Sequence, residues 1–235
     1  MSSRAALVGV GVGPGDPELL TVRAVRSVRE ADRVLAPSSA VDAVGRAESI
    51  VRQACAGVRI ERLVFAMGEA AGSIDDAAKT VVAGLDAGQR LAFVTLGDPN
   101  VYSTFSSVAA RVRELRPDAI VETVPGIMAF QDLAARSGTV VLRDTERLAL
   151  VTALDGPGAL EAALADPSQA VVVYKGGRHL PAMAKSLVSA GRLDGAVVGE
   201  LLGLPGERVV PVTEAAEGPA AYLATVIVPP AGRGG

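Results

Sequence analysis

The sequence predicts an α/β protein of two domains, each a mainly parallel or mixed sheet flanked by helices. Three observations predict it. Short uncharged apolar runs alternate with apolar-periodic segments of helix length along the whole chain. Several of the runs end in Gly/Pro-rich turns, as strands do when they hand over to a helix at a sheet edge. The pattern then restarts beyond Pro125-Gly126, with no low-complexity linker and no repeat, which sets domains of 1–124 and 125–235.

Ala5-Ala6-Leu7-Val8-Gly9-Val10 reads as the first strand. Gly11-Val12-Gly13-Pro14-Gly15-Asp16-Pro17-Glu18 comes next, and Leu19-Leu20-Thr21 opens a helix that turns Val22, Val25, Val28 and Ala31 inward. The second strand is Arg33 to Pro37. Helices are expected over 42–57 and 73–88, with Val58 to Phe65 alternating as a strand between them. Leu91-Ala92-Phe93-Val94-Thr95-Leu96 is a buried strand, 104–115 a helix, and Ala119 to Val124 a strand. A helix over about 129–137 succeeds the Pro-Gly turn. The second half carries strands at 148–152, 170–174 and 196–201 and helices at 157–165 and 180–190. Ala221 to Val228 is the closing strand, and the Gly/Pro-rich tail behind it is expected to be loose.

The stretch that organises the reading is Gly97-Asp98-Pro99-Asn100-Val101-Tyr102-Ser103-Thr104-Phe105. Glycine admits a close approach of backbone or ligand, proline ends strand pairing, and Ser103-Thr104 starts a helix. Asp98, Tyr102, Ser103 and Thr104 therefore lie past the carboxyl end of a strand, where open α/β sheets bind ligands. A plain strand-to-helix turn with a capping Asp satisfies the same residues. The first glycine loop and Pro125-Gly126-Ile127-Met128 supply two further walls at the same kind of edge. Neither common nucleotide fingerprint fits. A dinucleotide G-x-G-x-x-G would need glycine at Pro14 or Asp16, and no Lys comes after the glycines as a phosphate-cradling loop requires. Two prolines also remove N–H donors from any anion cradle.

Composition narrows the function. Net charge is −3 and aromatics are 3%, without Trp, so neither general electrostatic binding to nucleic acid nor base stacking is expected. One cysteine and one histidine exclude a Cys cluster, an internal disulfide and a multi-histidine metal site. Cys55 reads as a packing residue, His179 as a loop histidine, and Tyr102 and Tyr174 as residues that position a proton or pack. Arg23, Arg26, Arg29 and Arg33 form either a polyanion face or, more commonly, the solvated side of the first helix. No charged-then-apolar leader opens the chain and no apolar run spans a bilayer, so a soluble cytoplasmic protein is expected. Gly/Pro loops at strand ends, without a triad or metal ligands, suit binding and orienting reactants better than covalent chemistry.

Taken together, the motifs resemble the tetrapyrrole (corrin/porphyrin) methylases. Val10-Gly11-Val12-Gly13-Pro14-Gly15-Asp16-Pro17-Glu18-Leu19-Leu20-Thr21, Gly97-Asp98-Pro99 and Pro125-Gly126-Ile127 carry the resemblance in order and at family distances, and the closing strand from Ala221 to Val228 extends it. Within the family, Tyr102-Ser103-Thr104-Phe105 and Ala66-Met67 look most like the branch that methylates precorrin-2 at C(20) in cobalamin synthesis. The resemblance implies an active site in an inter-domain cleft, a homodimer, S-adenosylmethionine as methyl donor, and no protein-bound metal. Donor contacts carry over to Pro14, Gly97, Asp98, Val101, Tyr102, Ser103, Thr104, Met128, Ala129, Tyr174, Lys175, Leu202 and Gly203. Lys175 stands where relatives often have methionine, and Ala221-Tyr222 where many have Pro-Tyr. Asp98 and Tyr102 are the residues expected nearest the chemistry. The implied substrate carries eight carboxylates, for which Arg23, Arg111, Arg143 and Arg178 are the candidate partners. Alternatives are a cobalt-loaded substrate, another corrinoid carbon, a diphthine-synthase-like protein methylase, and a non-catalytic module that binds the donor or a tetrapyrrole.

Overall fold

A computed structural model describes residues 5–40, 42–65 and 70–232, with side chains from Ser73 onward in the last segment. The chain divides into two compact units, Met1–Met128 and Ala129–Gly235. Ala66-Met67 lies outside the described residues.

Unit 1 runs β1 (Ala6–Gly11), α1 (Val22–Arg29), β2 (Arg33–Ser38), α2 (Arg46–Ala54), β3 (Ile60–Val64), α3 (Ala70–Asp86), β4 (Arg90–Thr95), α4 (Thr104–Leu115) and β5 (Val121–Val124). The five strands form one sheet of order β3-β2-β4-β1-β5, with every pairing parallel. All six residues of β1 are buried, as a central parallel strand demands. Alternate side chains feed opposite faces. Val8, Val10, Val34 and Val94 pack with α1 and α2, while Leu7, Leu35, Leu91 and Phe93 pack with α3 and α4. Gly9 leaves room for Phe105, whose ring atoms would lie 2.5 Å from a Cβ there. The first turn of α4 is thereby seated on β1.

Unit 2 runs α5 (Ala129–Ser137), β6 (Arg147–Thr152), α6 (Gly158–Leu164), β7 (Gln169–Tyr174), α7 (Leu180–Ser189), β8 (Val197–Glu200), β9 (Arg208–Pro211), α8 (Val212–Ala215) and β10 (Thr225–Val228). Its sheet has the order β6-β7-β10-β8-β9. β6 and β7 are parallel; the other pairings are antiparallel. Val171, Val173, Val226 and Val228 face α6 and α7, and Val172 and Ile227 face Leu133 of α5.

Five expectations need correction. The first helix begins at Val22, capped by the Thr21 hydroxyl, which accepts from Ala24 N at 3.0 Å. Val22 is 78% exposed, and Ala24 and Val28 provide the buried face instead. Arg33 belongs to β2 rather than to the arginine row, and its guanidinium pairs with Glu61 at 2.6 Å. The closing strand is only Thr225–Val228, because Glu200 draws the Ala221 N–H out of the ladder at 2.7 Å and a turn forms between Ala221 and Ala224. β9 and α8 were not expected from the sequence; β9 is four residues long and half solvated, which leaves little periodicity to read. The tail is tied down as far as it is described. Pro229 O accepts from the buried Arg192, and Ala231 N donates to Pro167 O at 2.8 Å. Cys55 is buried and packs beneath α1, as expected.

Candidate functional site

In unit 1 three loops leave the sheet at its carboxyl edge and meet. β1 leads to Gly11–Pro14, β4 to Gly97–Tyr102, and β5 to Pro125–Met128. Val12 N donates to Thr95 O at 2.9 Å and Gly97 N to Gly13 O at 2.9 Å, so the first two loops continue the ladder past the strands. The glycines are steric requirements. A Cβ on Gly126 would stand 2.1 Å from Gly97 O, and one on Gly11 would stand 2.5 Å from the same oxygen. Gly97 meets no such obstacle, but its φ of 67° selects glycine.

Asp98 closes this junction. One carboxylate oxygen accepts from Asn100 N at 2.8 Å and the other from Gly126 N at 3.1 Å. Asn100 reaches Thr123 Oγ1 with its side-chain amide at 3.3 Å. Both oxygens of Asp98 thus hold backbone, so its place in the structure is that of a fastener between the second and third loops. Ser103 caps α4, accepting from Phe105 N at 3.1 Å, and shares a 2.8 Å hydrogen bond with Thr95 Oγ1. Thr104 is the first, exposed residue of α4, and Val101 and Met128 are half-buried. Pro14 is buried. Tyr102 is 46% exposed and left-handed at φ 48°.

The second group of candidates lies in unit 2. The Tyr174 hydroxyl accepts from Phe130 N at 3.2 Å, which satisfies an N–H in the first turn of α5 beside Ala129. Lys175 comes next in the chain with φ 57°. Burial pulls its ammonium below the ordinary lysine range. Leu202 is buried against Leu133. Leu201 has φ 51° and Gly203 has φ 69°. Gly203 N donates to Glu207 at 2.6 Å, and Glu207 in turn holds Arg136 at 2.8 Å. Among the described residues four non-glycines have positive φ, and three of them (Tyr102, Lys175 and Leu201) lie in or beside the candidate cofactor loops. Such backbone costs of order 1–3 kcal/mol per residue and concentrates at functional sites.

The candidate arginines are scattered. Arg111 is bound to Asp75 at 2.7 Å and Glu114 at 2.8 Å on the α3–α4 surface. Arg23 is exposed on α1, and Arg143 is exposed in the loop before β6. Arg178 lies beyond β7, bonded to Leu154 O and to His179 Nε2. Arg178 comes three residues after Lys175 in the chain. Sequence reasoning missed Asn100, Thr123 and Glu207. Asn100 was recoverable as the second partner in an Asp-x-Asn turn; Glu207 carries no local signal, because its role depends on a helix 71 residues earlier. Among the described residues no three His, Cys, Asp or Glu side chains cluster as a metal site, and no helix is long and apolar enough to cross a membrane.

The sequence model of the Tetrapyrrole (Corrin/Porphyrin) Methylases matches residues 6–217. The chain is 33% identical over 97% of its length to the cobalamin biosynthesis protein CobIJ of Mycobacterium tuberculosis, and it spans about half, 47%, of that relative. It is 32% identical to a precorrin-2 C(20)-methyltransferase of a Sinorhizobium species, covering 95% of this chain and 94% of the relative. A cobalt-precorrin-2 C(20)-methyltransferase of Salmonella typhimurium is 30% identical over 86% of each. In fold, the chain resembles the uroporphyrin-III C-methyl transferase of Thermus thermophilus solved with S-adenosyl homocysteine, with TM-score 0.66, 23% identity, and 94% and 96% of the two chains covered.

Proposed function

This chain belongs to the tetrapyrrole methylases, and from that premise we propose that it transfers a methyl group from S-adenosylmethionine to C(20) of precorrin-2, giving precorrin-3A. The observation that carries the reading is the junction of Gly11, Gly97 and Gly126 at the sheet edge, locked by Asp98 and built from three loops whose sequences contain no Lys or Arg. A phosphorylated ligand would find no Lys or Arg in Gly11–Asp16, Leu96–Phe105 or Val124–Met128. A sulfonium nucleoside carries no phosphate and favours a carboxylate nearby, so the residues present fit it. The choice of precorrin-2 rests on the identity with the Sinorhizobium relative along nearly all of both chains.

The donor, when bound, supplies a methyl group on a positively charged sulfur that a carbon nucleophile can displace. The protein's task is then alignment and exclusion of water, which can contribute about 7–11 kcal/mol in well-oriented systems. Asp98 holds the Pro125-Gly126 turn against Gly97 and so sets the floor of the site. The Thr95–Ser103 hydrogen bond fixes where α4 begins relative to β4. Tyr102 lies in the same loop, exposed and left-handed. Pro14, Gly97, Asp98, Val101, Tyr102, Ser103, Thr104 and Met128 are the proposed donor residues of unit 1; Ala129, Tyr174, Lys175, Leu202 and Gly203 are those of unit 2. A homodimer in the cytoplasm completes the reading, and light scattering checks the assembly.

The deciding experiment is an anaerobic incubation with methyl-labelled S-adenosylmethionine and, in parallel, precorrin-2 or its cobalt complex. Label at C(20) of the metal-free substrate confirms the proposal. Label on the cobalt complex alone assigns the reaction of the Salmonella relative instead. Label at another carbon refutes the choice of position.

A further inference from the structure

The loop after β7 holds a lysine where its backbone favours glycine. Lys175 has φ 57°, and the chain on either side is held by hydrogen bonds. Tyr174 O accepts from Ala153 N at 3.0 Å, His179 N donates to Gly176 O at 2.8 Å, and Ala220 N donates to Gly177 O at 2.9 Å. A Cβ on Gly176 would lie 2.8 Å from Ala153 Cβ, and one on Gly177 would lie 1.9 Å from Ala221 O. Two tightly seated glycines therefore succeed a strained lysine. Glycine at position 175 would remove the strain, so what lysine adds there is its side chain.

That side chain is a half-buried cation in a basic segment. Residues 169–180 contain no Asp or Glu, and Arg178 and His179 lie within four positions. Arg178 is engaged with Leu154 O and with His179 Nε2 at 2.9 Å, a bond in which the histidine nitrogen is the acceptor. Burial lowers the affinity of the Lys175 amine for its proton, and an arriving anion reverses that loss by pairing with the charge. Both proposed reactants carry carboxylates.

We propose that Lys175 is a carboxylate anchor at the carboxyl end of β7, gripping either a peripheral carboxylate of the macrocycle or the amino-acid carboxylate of the methyl donor. The assignment rests on the function proposed above. Wild type, K175M, K175R and K175G are compared by S-adenosylhomocysteine binding in calorimetry, by thermal melting, and by KM for each substrate. K175M weakens carboxylate binding about 10-fold. A rise in the KM for precorrin-2 with unchanged S-adenosylhomocysteine affinity identifies the macrocycle; a matching loss of S-adenosylhomocysteine affinity identifies the donor. K175R recovers most of the lost affinity. K175G melts above wild type because it relieves the backbone, yet binds as poorly as K175M. Stability and affinity then move in opposite directions, which a merely structural lysine cannot produce. Unchanged binding and KM values in K175M overturn the proposal, as does K175G melting below wild type. Wild-type protein that neither binds S-adenosylhomocysteine nor methylates a corrinoid refutes the functional reading itself, and the anchor with it.

Discussion

Replacing Asp98 separates a fastener from a proton carrier. Its two carboxylate oxygens accept from Asn100 N at 2.8 Å and Gly126 N at 3.1 Å. Hydrogen bonds to a charged acceptor contribute about 1.5–3 kcal/mol each, and the half-exposed setting of Asp98 places both near the lower bound. The bond to Asn100 is local and is partly replaced by water once the side chain is gone. Asp98→Ala should therefore cost about 2–3 kcal/mol. For a chain of this size each kcal/mol lowers Tm by roughly 2–4 °C, so a fall of about 5–10 °C is expected.

Asp98→Asn is the sharper variant. Its single carbonyl oxygen retains at most one of the two N–H groups, and its amide NH₂ then opposes the other donor. It should lose Tm and S-adenosylhomocysteine affinity together, in proportion to Asp98→Ala. A general base would behave differently. Removing one typically costs about 10²–10⁴-fold in rate, and here that loss would come with stability and cofactor affinity intact. Melting by differential scanning fluorimetry, binding by calorimetry and single-turnover methyl transfer distinguish the two. A variant that melts and binds like wild type but has lost about 10²-fold or more in rate would refute the fastener argument.

Three further outcomes are expected. Gly126→Ala places a methyl 2.1 Å from Gly97 O, a backbone atom that cannot turn aside, so the loops must part; S-adenosylhomocysteine affinity should fall by about 10-fold or more, checked by calorimetry. Glu48 is fully buried on α2, and the hydrogen bond from Arg62 holds its carboxyl below the usual carboxylate range, against its own burial and with help from Arg52. Its stabilisation is present above the ordinary glutamate pKa and fades as pH falls through the lowered one. Glu48→Gln should cost about 3 kcal/mol at neutral pH and melt with a shallower dependence on acid, read from denaturation between about pH 7 and 3. Glu207→Ala removes the acceptor of Gly203 N and one partner of Arg136, which Asp132 still holds at 2.9 Å; S-adenosylhomocysteine affinity should drop several-fold while stability falls by only about 1 kcal/mol, since the lost pair is partly exposed at both ends.

The parallel core of unit 1 was legible because burial on both faces leaves unbroken apolar runs such as 5–10 and 91–96. Helix α4 was legible to the residue, because Ser103 is both a cap and the point where apolar spacing changes from two to three or four. The loop motifs located the sheet-edge junction but not the two backbone N–H groups that Asp98 holds there, since a carboxylate that bonds N–H groups from different loops has the same sequence signature as one that faces a reactant. Unit 2 was harder to read. The start of β10 was placed too early because Ala221 to Leu223 read as part of the same β-prone run, and the distant Glu200, which takes the Ala221 N–H, leaves no local signal. Arg111 looked available because one of its two partners, Asp75, sits 36 residues away on another helix, although the other, Glu114, lies one turn on.

The position of β10 has a consequence for how this molecule is made. The last strand of unit 2 lies at the centre of its sheet, between β7 and β8. Until Thr225–Val228 leaves the ribosome, β7 and β8 each present an open edge, and the face of Leu133 has no Ile227 beneath it. At about 5–20 residues per second, the segment from Tyr174 to Thr225 takes seconds to synthesise, and throughout that time the half-built sheet is a template for pairing with a neighbour on the same messenger. Unit 1, whose last strand β5 joins at an edge, has its core in place long before. Translation speed and chaperone supply while the stretch from Tyr174 to Thr225 is being made should therefore govern the yield of folded unit 2 more than they govern that of unit 1.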